Sequence, residues 1–160
     1  MDIQYTEQAK SAVKYAEKTA RRYQHNYIGT EHLLAGLVHE EHGTAGMVLR
    51  DLGVSEEKLM ELIDRFIAPS GEVMTISVQG YTPRAERLLA ESVQEAENFH
   101  STRVGTEHLL LAMLRMGDCV GTRLLHTMGM NIQKIQKETL TAMGEESSQG
   151  REDGGKKGGR

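Results

Sequence analysis

Six consecutive residues, Gly29-Thr30-Glu31-His32-Leu33-Leu34, return intact as Gly105-Thr106-Glu107-His108-Leu109-Leu110. The separation is 107 − 31 = 76, and Tyr5-Thr6 returns at the same distance as Tyr81-Thr82. Carried along the chain without a gap, that offset pairs Ala9 with Ala85, Ala20 with Ala96, Leu49 with Leu125 and Gly53 with Gly129. Between the identities apolar positions stay apolar, as in Ile28/Val104, Val38/Leu114, Leu52/Met128 and Leu59/Ile135. Self-similarity at a fixed offset marks a repeated supersecondary unit. The chain is therefore two copies of one unit, residues 5–67 and 81–143. Two such halves suggest a pseudo-twofold domain in which each buries its apolar stripe partly against the other.

Each copy reads as four helices. Thr6, or Thr82 followed by Pro83, is a hydroxyl N-cap with proline favoured at the first helical position. Ala9, Ala12, Val13, Ala16, Ala20 and Tyr23 then recur at helical spacing. A second helix is expected to start with Thr30 or Thr106 as its N-cap and to run through Leu33, Leu34, Leu37 and Val38, or Leu109, Leu110, Met113 and Leu114. A short third helix, from about Thr44 to Leu52, stops at Gly53, with Gly129 as its counterpart. Ser55 or Asn131 caps a fourth, flanked by the apolar pairs Val54/Leu59 and Met130/Ile135. Strand-forming signals are confined to APSGEVMTISVQG, residues 68–80, which reads as an extended linker. The fold class is all-α.

The remaining organisation follows from composition. Residues 1–67 hold the first copy, 68–80 the linker and 81–143 the second copy. Residues 144–160, GEESSQGREDGGKKGGR, contain no large apolar side chain and are expected to be a flexible tail or interdomain linker. The formal charge of −4 argues against a nucleic-acid partner, which ordinarily meets a basic face. No apolar run approaches the roughly 18 residues of a membrane span, and MDIQYTEQAK lacks the apolar core of a signal peptide. One cysteine cannot build a disulfide framework, so the expected location is cytoplasmic.

Catalytic chemistry is hard to place on this chain. His39-Glu40-Glu41-His42 is not the HExxH order, and copy two has Arg115-Met116-Gly117-Asp118 there, so a solvated helix end is expected rather than a metal site. Cys119 aligns with Gly43 at the start of the short third helix, where a buried or half-buried thiol is the plain reading. No phosphate-binding glycine loop, dinucleotide fingerprint or nucleophile elbow is present. Neither an enzyme nor a cofactor is expected.

The repeated Gly-Thr-Glu-His element carries the specific chemistry. With Thr as N-cap, Glu31 and Glu107 stand at the first helical position, against the positive end of the helix dipole. There a carboxylate stabilises its helix by about 0.3–1 kcal/mol. The same carboxylate, held rigidly, can take a planar guanidinium in a bidentate pair. Free N–H groups after Thr6 or Thr82 could cradle an anion.

The doubled unit, with its Tyr-Thr opening, its Ile/Val-Gly-Thr-Glu-His-Leu-Leu block and a Leu-Gly closing the third helix, resembles the repeat of Clp ATPase N-terminal domains. The opening Tyr81-Thr82-Pro83-Arg84-Ala85 looks most like the ClpC type. The resemblance implies an eight-helix, pseudo-twofold domain above a hexameric AAA+ unfoldase. Such a domain receives substrates and adaptors of the MecA and McsB kind for degradation by ClpP. It also implies a receptor for phosphoarginine, one site per repeat, with Glu31 and Glu107 on the guanidinium and Thr6 and Thr82 by the phosphate. An adaptor- or peptide-binding surface would include Tyr5, Tyr81, Arg84 and Glu86. The sequence departs from that family at Thr6-Glu7-Gln8, which lacks the usual basic residue, and at Glu86, commonly lysine there. A stand-alone accessory subunit of a Clp protease is the alternative.

Overall fold

The computed structural model of the chain describes residues 4–67 and 80–150, with side chains to residue 144. Among the described residues eight helices follow one another as the doubled pattern predicts. The first copy supplies α1 (Glu7–Arg22), α2 (Thr30–His39), α3 (Thr44–Asp51) and α4 (Glu56–Phe66). The second supplies α5 (Pro83–Asn98), α6 (Thr106–Met116), α7 (Val120–Thr127) and α8 (Ile132–Gly150). α8 runs on past residue 143, because a lone Gly144 weakens a helix without ending it. Most of the expected linker and everything beyond residue 150 lie outside the described residues.

Local chemistry explains most of the helix ends. Thr6 and Thr82 accept from the amides of Ala9 and Ala85 at 3.0 and 3.1 Å, the expected N-caps. Ser55 and Asn131 do the same for α4 and α8. α3 and α7 close on Gly53 and Gly129, both at positive φ, where glycine has no Cβ to clash. α1 and α5 close differently. Gln24 and His100, equivalent under the offset, take positive φ without being glycine. The amides that follow, of His25 and Ser101, donate to Ala20 and Ala96 at 2.8 and 2.9 Å, the outer bond of a Schellman cap.

Helix α2 is buried from Thr30 to Val38, and α6 is nearly so. Around these two central helices the apolar residues of both copies form one continuous core, including Leu34, Leu37, Leu49, Leu110, Met113 and Leu125. The alanine stripe of α1 lets α2 approach closely. A methyl group at Gly36 of α2 would overlap the main-chain carbonyl of Ala12.

The copies are joined by exchange. A short strand, β1 (Gln4–Tyr5), pairs in parallel with β2 (Arg103–Val104) of the other copy, in the register Gln4 to Arg103 and Tyr5 to Val104. The twofold mate of this pairing is a bridge between Ile28 and Tyr81. Thr6 N–H donates to the Val104 carbonyl and Thr82 N–H to that of Ile28, both at 2.9 Å. Strand structure thus occurs outside the linker, contrary to expectation. Docking of the two copies creates these two-residue ladders, so local propensity does not announce them.

A second correction concerns α2 and α6. Their N-caps are Gly29 and Gly105, one residue earlier than the threonines expected there. The threonine hydroxyls are committed elsewhere. Thr30 Oγ1 accepts from the amide of Gly121 at 2.9 Å, and Thr106 Oγ1 accepts from that of Ala45 at 3.1 Å. Each threonine therefore satisfies an orphan donor at the start of the third helix of the opposite copy. Thr30→Val and Thr106→Val keep the shape and remove the acceptor. Each is expected to cost about 1–2 kcal/mol, read as a shift of the urea midpoint. A pair of silent valines would show that water replaces the hydroxyls.

Candidate functional site

The Gly-Thr-Glu-His element is built by its own backbone. Gly29 N–H donates to His32 Nδ1 at 2.9 Å, and Gly105 N–H to His108 Nδ1 at the same distance. The imidazole, three residues into the turn, does what a capping-box glutamate would do. The glutamate one residue before it folds back over the N-cap. A methyl group at Gly29 or Gly105 would overlap the Glu31 or Glu107 carboxylate. Any residue could take the φ near −100° found at both positions, so what glycine supplies there is room for the folded-back carboxylate. Glu31 and Glu107 therefore stand at the second helical position, not the first, because the cap is the glycine.

Accepting at Nδ1 fixes the histidine tautomer. His32 carries its proton on Nε2, which lies 2.7 Å from His25 Nδ1, and His25 Nε2–H in turn reaches the Ile67 carbonyl at 3.2 Å. This buried relay ties the start of α2 to the end of α4. Copy two replaces His25 with Ser101, and the Phe99 ring stands near His108 instead. Burial, with His25 adding to it, pushes the His32 ring down to about 3, and burial alone pushes His108 down to about 4.

Glu31 is 8 % exposed, and burial raises its carboxyl above the ordinary range. His32 Nδ1 stands 3.9 Å from it, but that nitrogen already accepts from Gly29 and offers no proton. Among the described residues Glu31 has no cationic partner. A buried carboxylate without one strongly favours a cation that enters from outside. Glu107 is half-buried.

Because the opening strands are exchanged, each Gly-Thr-Glu-His element follows directly on a backbone contact with the opening threonine of the other copy. Thr82 is hydrogen-bonded to Ile28, three residues before Glu31, and Thr6 to Val104, three residues before Glu107. Each contact ties the segment leading into a Gly-Thr-Glu-His element to a helix start that carries the positive end of a dipole. The two starts differ. Pro83 brings no N–H to α5, whereas Glu7 keeps one in α1.

Tyr5 and Tyr81 come together in a groove of about 290 Å³ between α1 and α5, lined also by Lys10, Val13, Lys14, Glu17 and Leu89. Burial, then Glu17 and Tyr5, push the Tyr81 phenol up. Arg84 is not part of that lining; its guanidinium donates to the main-chain carbonyl of Asp118. Glu86 is exposed in the first turn of α5.

His39 stacks on the Tyr15 ring and hydrogen-bonds Glu56 at 2.9 Å. Tyr15 donates to the same carboxylate, and Arg50 pairs with its other oxygen. This cluster ties all four helices of copy one, and no offset signal announces it: Glu91, Arg115, His126 and Ile132 stand at the equivalent positions. Among the described residues no three His, Cys, Asp or Glu side chains gather as a metal ion would need. Cys119 is buried and lies 3.6 Å from the Thr122 hydroxyl. No helix among the described residues is long and apolar enough to cross a membrane.

Comparison with known proteins places this geometry in a context. The family profile of the Clp repeat N-terminal domain matches residues 4–128 and again 80–156. The chain is 37% identical over 140 residues to the negative regulator of genetic competence ClpC/MecB of Bacillus subtilis, covering 88% of this chain and 17% of that protein. It is equally 37% identical over 145 residues to the chaperone ClpB of Oceanobacillus iheyensis, covering 91% and 18%. The chain thus spans under a fifth of the length of these relatives. Among solved structures, the N-terminal domain of the chaperone ClpD from Arabidopsis thaliana superposes with a TM-score of 0.74 at 20% identity, covering 88% of this chain and 97% of that one. The N-domain of ClpV in complex with a VipB peptide reaches 0.64 at 21% identity, covering 84% and 83%.

Proposed function

The chain belongs to the Clp repeat N-terminal domain family, and on that premise we propose that it receives substrate and adaptor proteins for a ClpC-type AAA+ unfoldase. In this reading it works by binding alone, in the cytoplasm, while ATP hydrolysis and delivery to ClpP reside in other parts of the assembly. The mark it reads is phosphoarginine, at two sites. One joins Glu31 to Thr82 and the start of α5; the other joins Glu107 to Thr6 and the start of α1.

The observation that carries this reading is Glu31, buried with no cationic partner among the described residues, three residues from the Ile28 carbonyl that accepts from Thr82. A guanidinium supplies the missing charge in a bidentate pair, and the phosphoryl group falls to the first-turn amides that the threonine caps leave unused. The groove holding Tyr5 and Tyr81, with Lys10 and Lys14 on its rim, suits an adaptor of the MecA or McsB kind or a peptide with apolar and acidic side chains. Arg84 and Glu86 would meet the same partner from the first turn of α5.

Phosphoarginine at millimolar concentration is expected to raise the melting temperature, and arginine to raise it less. Glu31→Ala together with Glu107→Ala is expected to remove the effect. An unchanged melting temperature with the unsubstituted chain would count decisively against the receptor reading.

A further inference from the structure

The two receptor sites proposed above are not copies of each other, and the difference lies at their anionic ends. At the start of α5 stands Arg84, where copy one has Gln8. Arg84 is the natural cation for a phosphoryl group arriving at that helix start, yet both ends of its guanidinium are turned to one residue. One nitrogen donates to the main-chain carbonyl of Asp118, and the other lies 3.4 Å from the Asp118 carboxylate. The second carboxylate oxygen is held by Arg123 at 3.2 Å.

The connection between α6 and α7 is built to bring this acid there. Gly117 ends α6 at a φ of 73°, and the Asp118 amide donates back to Met116 at 2.7 Å. Copy one has Glu41 and His42 at the equivalent positions, neither at positive φ. Its helix start has no arginine to hold and no carboxylate holding it.

We infer that Asp118 is an internal competitor for the anionic end of the ligand at the site shared by Glu31 and Thr82. The pair is solvent-exposed, with side-chain exposures of 51% for Arg84 and 69% for Asp118, so little energy holds it closed. A phosphoryl group carries nearly two charges and three acceptor oxygens, and it displaces a single carboxylate from a guanidinium. Plain arginine offers nothing for Arg84 to bind and leaves the Asp118 contact in place. The contact therefore sharpens the choice of a phosphorylated over an unmodified guanidinium, at some expense in affinity, and only at this site.

The inference rests on the receptor reading, and the experiment separates the two. Glu107→Gln isolates the Glu31 site, and Glu31→Gln isolates the other; each is titrated calorimetrically with phosphoarginine and with arginine. In the Glu107→Gln chain, Asp118→Ala is expected to tighten phosphoarginine about two- to fivefold, the range an exposed ion pair supports. Arg84→Gln in that chain is expected to weaken phosphoarginine and to leave arginine unchanged. In the Glu31→Gln chain neither substitution should matter. Unchanged or weaker phosphoarginine binding on Asp118→Ala, or an Arg84→Gln without effect, overturns the competitor. Absence of binding to the unsubstituted chain overturns the receptor itself. Binding by the Glu31→Gln chain alone keeps the receptor and removes the masked site.

Discussion

Acidification from pH 7 to pH 5 is expected to lower the stability of the fold by about 4 kcal/mol through two side chains, His32 and His108. Both rings titrate near 6.5 in the unfolded chain, and the fold holds them at about 3 and about 4. Between those values the unfolded chain binds protons that the folded chain refuses. Their stabilisation is therefore complete above 6.5 and is lost as pH falls, at roughly 1.4 kcal/mol per pH unit and ring. The loss levels off once pH passes below the folded values. The cause is burial, joined at His32 by His25, and protonation at Nδ1 would also break the bond from the glycine amide that starts each helix. His25, pushed down mainly by burial, adds to the effect, whereas Glu31, pushed up by burial, works against it. Urea midpoints measured from pH 7.5 to 4.5 check this. His32→Gln with His108→Gln should flatten the profile even where it lowers the plateau. Stability constant to within 1 kcal/mol from pH 7 to 5 would rule the account out.

Gly36→Ala is expected to destabilise the chain by about 2 kcal/mol, although alanine is the better helix former. In an open helix the exchange would gain about 1 kcal/mol. Here the added methyl meets the carbonyl of Ala12, and main chain cannot rotate aside as a side chain would. α1 must lift from α2, and the contact of Ala9, Ala12 and Ala16 with the core lifts with it. The equivalent position in copy two is already Ala112, facing an α5 that carries Leu88 where α1 has Ala12. Ala112→Gly should accordingly cost only helix propensity and a small cavity, about 1–2 kcal/mol. Equal midpoints for Gly36→Ala and the unsubstituted chain would show that the helices crowd less than they do here.

How much of this was readable beforehand differs residue by residue. Thr6, Thr82, Ser55 and Asn131 were legible as caps because a cap is a local bargain between a side chain and an amide three residues on. Gly53 and Gly129 were legible for the same reason. Thr30 and Thr106 look identical to such caps in sequence and are not, since their hydroxyls serve residues 91 and 61 positions away. His25 carried no signal, because its partner His32 belongs to the repeated block and its own position is Ser101 in the other copy. Asp118 was equally silent, standing in a connection that the offset matches only to unlike residues.

The candidate site divides along the same line. Glu31 and Glu107 could be singled out from the repeated block, and Thr6 and Thr82 from the openings. That Ile28, just before the first block, bonds to Thr82, and Val104, just before the second, bonds to Thr6 could not. Two like halves, four helices in each, and the ends of most of those helices follow from the amino-acid order alone, because these depend on side chains and amides within a few residues. Which half bonds to each opening threonine, how deeply each glutamate is buried and what holds Arg84 emerge only when the helices pack. A fixed offset states that two segments are equivalent, but equivalence is the same whether a segment docks within its own copy or across the twofold. The choice is made by packing of one shared core, and distant packing leaves no period in a chain.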